Sequence, residues 1–125
     1  MKKIVLIVIL LIIIKSCFPT PGNPTTAFIV KNTSEKSISF TAGVIKCSQS
    51  FGCQEYKNSF TVKAKDSIIA RQTYFKKDSD KPQSWFTTFD IFPQDGIGLN
   101  DPKESQNWIK SSKDKIQIYT FTINK

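Results

Sequence analysis

Histidine is absent from the 125 residues. With it go histidine-based triads, HExxH zinc sites and every imidazole general base. Cysteine occurs three times, too few for a four-cysteine zinc site. The longest apolar run, Ile4–Ile14, is eleven residues. At about 1.5 Å per residue it covers roughly half of a ~30 Å hydrocarbon layer, so it excludes a permanent spanning helix. Acidic residues are also few, 10 against 18 Lys plus Arg, a net charge of +8. Loss of Lys2, Lys3 and Lys15 with the first 16 residues leaves 15 against 10, or +5. Hydrophobic residues at 39% and aromatics at 12% are enough for a core, which excludes a disordered chain.

What is present is clearest at the N-terminus. Met1-Lys2-Lys3 is a short positive segment, Ile4–Ile14 is the apolar run, and Lys15-Ser16-Cys17 follows. This is the layout of a secretory signal peptide, residues 1–16. A small residue before a cysteine at the end of the run resembles the signal of bacterial lipoproteins, including those of the Bacteroidota type. The resemblance covers residues 1–17. It implies cleavage between Ser16 and Cys17, and acyl chains on Cys17 as a palmitate-type anchor. Two or three chains at about 0.8 kcal/mol per buried methylene hold a small domain at a membrane. Phe18–Thr25 contains three prolines and a glycine in eight positions, an extended tether of roughly 25 Å at about 3.1 Å per residue. Phe18 directly follows the cysteine, and the first acidic residue is Glu35. By the resemblance, this favours an outer-membrane anchor facing the periplasm.

Residues 26–125 read as one all-β domain. Ala27–Asn32 is a short apolar strand ending in the turn-rich Asn32-Thr33-Ser34-Glu35. Ile38, Phe40, Ala42 and Val44 alternate with polar or small residues, and so do Phe60, Val62 and Ala64. Strands are also expected at Ile68–Phe75, Ser84–Phe92 and Ile116–Ile123. In the last of these the apolar phase changes between Ile118 and Tyr119, which predicts a β-bulge. Asp101, Pro102 and Glu104 form a capping-box-like start, which predicts a helix of at most two turns with Trp108 and Ile109 facing inward. Six or seven strands and one short helix indicate an antiparallel β-sandwich. It resembles, loosely, the immunoglobulin-like domains of small exported lipoproteins, a likeness of architecture that carries no function. Phe40, Phe60, Val62 and Phe121 are the expected core.

With Cys17 lipidated, Cys47 and Cys53 remain as an even pair in a chain bound for a compartment where disulfides persist. Five intervening residues let a hairpin bring them together as a structural staple. The spacing is not that of a redox pair, whose cysteines are separated by two residues at a helix start.

The sequence offers little chemistry. Asp78-Ser79-Asp80 has calcium-like spacing, but Pro82 and Phe89 occupy positions five and twelve of the would-be loop, and Lys76, Lys77 and Lys81 oppose a cation. Gly96-Ile97-Gly98 lacks the strand–helix context of a nucleotide fingerprint. Asp90 would be an acid–base candidate if buried, but the alternation puts it on a polar face. No catalytic residue, metal site or cofactor is expected. Trp108, Phe51 and Trp85 are the candidate partner contacts, Trp108 because a short polar helix leaves one face in solvent. The expected function is a membrane-anchored, non-enzymatic accessory or protein-binding lipoprotein of the cell envelope. The alternatives are an immunity or inhibitor protein against a toxin or lytic enzyme, and a glycan-binding module. Nucleic acid is not an expected partner, since the lysines are spread rather than striped and the chain is exported.

Overall fold

The computed structural model describes residues 23–74 and 80–125. The signal segment, Cys17, most of the tether and the Asp78-Ser79 pair lie outside them.

Among the described residues seven strands follow in order: β1 (Thr26–Lys31), β2 (Ile38–Ser48), β3 (Gly52–Val62), β4 (Ser67–Thr73), β5 (Thr88–Ile91), β6 (Trp108–Lys113) and β7 (Ile116–Thr122). They form a four-stranded sheet in the order β4-β1-β7-β6 and a three-stranded sheet in the order β3-β2-β5. The protein is an all-β sandwich. Four of its strand pairs are antiparallel, and β1 with β7 is parallel, Thr26 opposite Gln117. That pairing departs from a wholly antiparallel arrangement and places the first strand between the fourth and the last.

Alternation decides what is inside. Phe28 and Val30 of β1, Trp108 of β6, and Tyr119 and Phe121 of β7 meet Ile38, Phe40, Ala42 and Val62 from the other sheet. Phe86 and Ile123 complete the core. Each large side chain so buried contributes roughly 1.5–3 kcal/mol. The expected core residues Phe40, Val62 and Phe121 are fully buried, and Phe60 packs half-buried against them.

The predicted helix after Asp101 is absent. The Asp101 carboxylate accepts the amide of Lys103 at 2.9 Å, so the turn begins as expected, but only a single 3-10 turn, Ser105–Asn107, follows. Trp108 is extended and opens β6, because its partner Phe121 lies opposite it across the sheet. The second 3-10 turn, Pro82–Trp85, replaces the start of the predicted Ser84–Phe92 strand, with Pro82 at its first position. No bulge interrupts β7. Gln117, Tyr119, Phe121 and Ile123 are buried in an unbroken alternation, and Gln117 is held inside by donating to the Tyr119 hydroxyl at 3.1 Å. A polar residue in an inward position had disguised the phase. The register shift lies instead between β1 and β4, where Phe28 pairs Arg71 and Ile29 pairs Ile69, leaving Ala70 as the extra residue.

One side chain ties the two sheets together at the end where β1 stops. Asn32 is fully buried. Its amide nitrogen donates to the carbonyls of Lys36 (2.7 Å), Val62 (3.0 Å) and Lys63 (3.2 Å). Its oxygen accepts the backbone N–H and hydroxyl of Ser34 at 2.9 and 2.7 Å. Replacing Asn32 by Ala leaves several buried polar groups without partners. We expect a loss of about 3 kcal/mol, a fall in Tm of roughly 10–20 °C. Thermal unfolding followed by circular dichroism checks this, and a Tm within a degree or two of wild type would contradict the role.

Candidate functional site

The most distinctive feature grows out of the β2–β3 hairpin. The pairing of β2 with β5 ends at Gly43, yet β2 and β3 continue together to Ser48 opposite Gly52. From Ile45 to Ser59 every residue is exposed. The hairpin thus leaves the sandwich as a two-stranded arm, roughly 17 Å long from Gly43 to Ser48 at ~3.4 Å per residue. Such a ribbon alone is barely stable in water. Three features hold it.

The first is the disulfide. Cys47 and Cys53 are directly opposite in the register and bonded, their Cα atoms 3.9 Å apart. The second is the tip, where Gly52 takes φ +69°, a left-handed conformation that suits glycine, and the Phe51 amide donates to the Ser48 hydroxyl at 3.1 Å. The third is at the root. The Glu55 carboxylate accepts from the hydroxyls of Thr87 (2.6 Å) and Thr88 (2.9 Å), with Lys57 at 3.7 Å. To reach β5 from β3 it must pass over β2, and there Gly43 lies. A Cβ on Gly43 would stand 2.8 Å from both the Glu55 oxygen and the Thr87 hydroxyl, so glycine is what lets the link cross. On the other face, the Lys46 ammonium lies 5.5 Å from the centre of the Tyr56 ring.

The predicted contact residues do not come together. Phe51 is at the arm's tip and 78% exposed. Trp85 is half-buried in the 3-10 turn beside the arm's root. Trp108 is only 6% exposed: its ring stacks on Phe86 (5.7 Å) and Phe121 (5.1 Å), and its indole N–H donates to the Pro102 carbonyl at 2.9 Å. Trp108 faces inward as the spacing predicts, but from a strand whose first side chain points into the core, so the solvent-facing contact expected of it is absent, and Ile109, expected inward beside it, is exposed. Asp90 is exposed, opposite Thr41 on the outer face.

The residue that sequence reading missed is Arg71. It lines two adjoining clefts between the arm's root and the 3-10 turn. One, about 190 Å³, has Val44, Lys46, Phe60 and Phe86 among its walls; the other, about 250 Å³, has Ile45, Ser84, Trp85 and Thr87. The guanidinium donates to the Trp85 carbonyl. Burial works against its charged form and lowers its pKa, though an arginine stays charged at any physiological pH. No local motif announces this residue: it reads as one base in an ordinary strand.

No known protein family, curated protein or solved structure shows significant similarity to the chain, so the reading rests on its own geometry.

Two expectations follow for the arm. Thr87 and Thr88 stabilise the ionised Glu55 and hold its carboxyl below the ordinary value. A lowered folded-state pKa contributes stability above the unfolded value that is lost as pH falls through the folded one. Between about pH 5 and about pH 3 the wild-type Tm should therefore fall more steeply than that of Glu55→Gln, and parallel curves would refute the link. For the staple, a Cys47→Ser/Cys53→Ser double variant should raise amide exchange in residues 45–55 by about tenfold or more while residues 38–42 of the same strand stay protected. Uniform loss of protection along β2 would show that the bond supports the sandwich rather than the arm.

Proposed function

We propose that this is a lipid-anchored, non-enzymatic protein of the bacterial cell envelope, held at the outer membrane facing the periplasm, that uses its stapled arm to bind another protein. The observation that carries the reading is the arm itself. Fifteen consecutive residues, 45–59, are exposed, so the arm adds little to the core that folds the domain. A disulfide nonetheless holds it in shape, and a phenylalanine is presented to water at its tip. An exposed aromatic on a preorganised element loses little conformational freedom on binding, which is how hot-spot residues contribute affinity. The anchor is supported by the Met1–Cys17 signal and by a pairing of Cys47 with Cys53 that suits an oxidising compartment. Among the described residues no helix is long and apolar enough to cross a membrane.

The same arm favours one narrower version. A slim ribbon with an aromatic tip suits insertion into a cleft, which is what an immunity or inhibitor protein does to a toxin or lytic enzyme. A glycan-binding role draws on Trp85 alone among the three candidate contacts.

Cells carrying the wild-type chain should incorporate a palmitate analogue and Cys17→Ala should not; equal labelling of both sinks the anchor. A photoactivatable phenylalanine in place of Phe51 should cross-link to one discrete protein, whereas the same group in place of Asp90 should not. Cross-links from both positions alike, or from neither, would remove the arm as the binding element.

A further inference from the structure

Arg71 is placed by a defect in the sheet. In β1, Phe28 and Val30 face the core, and their partners in β4, Arg71 and Ile68, share that face. An unbroken strand that turned Ile68 and Ala70 inward would turn Arg71 out to solvent. The extra residue at Ala70 shifts the phase by one and swings Arg71 to the inner side, beside the arm's root. Bulges that re-aim a side chain concentrate at binding sites. An inward arginine on an edge strand loses hydration that Leu or Ile at that position would not need.

Its surroundings define what it could meet. The Trp85 carbonyl takes one donor of the five-donor guanidinium. Among the described residues the only carboxylates in salt bridges are Glu55 and Glu35, paired with Lys57 and Lys65. None pairs with Arg71. The lining of both clefts contains no acidic residue, and Lys46 adds a second positive charge. Around these charges the walls are mixed: Val44, Ile45, Phe60 and Phe86 are apolar, and Asn58, Gln72, Ser84 and Thr87 add amides and hydroxyls. One guanidinium between apolar side chains and neutral amides and hydroxyls suits a single carboxylate carried on a peptide, whose backbone can use the polar groups and whose neighbouring side chain the apolar ones.

We propose that Arg71 receives a side-chain carboxylate from a protein segment bound between the arm's root and the Pro82–Trp85 turn, with the adjacent apolar side chain of that segment packed into the cleft beside Ile45 and Trp85. The site deepens the protein-binding reading, on which it rests for the class of partner. It sits at the arm's root, so it can be tested without the tip.

The full-length protein in detergent is titrated with acetyl-Phe-Glu-amide, with its Phe-Gln analogue and with methyl glucuronide, following the Arg71 side-chain N–H by NMR and tryptophan fluorescence. The glutamate peptide should shift the Arg71 resonance and bind about tenfold more tightly than the glutamine analogue. Arg71→Gln should abolish that difference, and Arg71→Lys should keep the charge but recover only part of it. Asp90→Asn, on the outer face away from the cleft, should bind the peptide as wild type does, and the cross-link from position 51 is read in a separate experiment, so failure at the tip and failure at this site are distinct. Equal binding of the two peptides by wild type, which needs no variant to fold, overturns the proposal. So does an absence of any shift at millimolar peptide. Tighter binding of the glucuronide than of the peptide assigns the cleft to a glycan and equally overturns it.

Discussion

The side-chain amide of Asn32 is the constraint on which the rest of the molecule is arranged. Two sheets packed face to face touch through side chains alone, and apolar contacts let them slide. Asn32 directly follows β1 of one sheet and holds carbonyls next to the start of β2 and at the end of β3 in the other. Beside it, the Thr33 amide donates to the Asn124 side chain at 2.8 Å, and Asn100 donates to the carbonyls of Thr122 and Asn124. One end of the sandwich is thus closed by hydrogen bonds with little freedom to shift. The arm leaves from the opposite end of the same two strands, β2 and β3.

At the projecting end the contacts are fewer and more specific. Glu55 fastens the arm to the start of β5 by crossing Gly43, and Lys46 covers Tyr56 on the opposite face. Between this root and the Pro82–Trp85 turn, the bulge at Ala70 delivers Arg71. The unusual features of the structure gather there: a glycine chosen for clearance, an extra residue in an edge strand, and a half-buried cation. Core packing does not ask for any of them. Features that stability alone leaves unexplained gather at functional or strained sites.

The legible part of the sequence was the part in which a core imposes a period. Ile38–Val44 and Phe60–Val62 alternate because one face is buried, and the structure places them so. The arm beyond Val44 gave no signal as strand, because both its faces meet water and alternation then records nothing. The Cys47–Cys53 pair pointed to a hairpin clamp even so. Two errors had local causes. Asp101-Pro102 and Glu104 begin a helical turn in earnest, but the cross-strand partnership of Trp108 with Phe121 outweighs a propensity of about 1 kcal/mol. In β7, Gln117 occupies an inward place that reads as polar surface until its bond to Tyr119 is seen. Arg71 was illegible, because a bulge depends on two strands and shows in neither.

The parallel union of β1 with β7 bears on the order in which the chain can fold. Thr33 and Asn124, which hydrogen-bond at that end of the pair, are 91 positions apart in sequence. A polypeptide emerging from a ribosome, N-terminus first, exposes β1 long before β7 exists to lie beside it. Until then β1 can pair only with β4, and β6 has no neighbour at all, since β7 is its partner too. Closure of the four-stranded sheet therefore waits for the last strand, the slow and long-range step in such a topology. During that interval the four-stranded sheet stays open, and the sandwich becomes compact only once its last strand is in place.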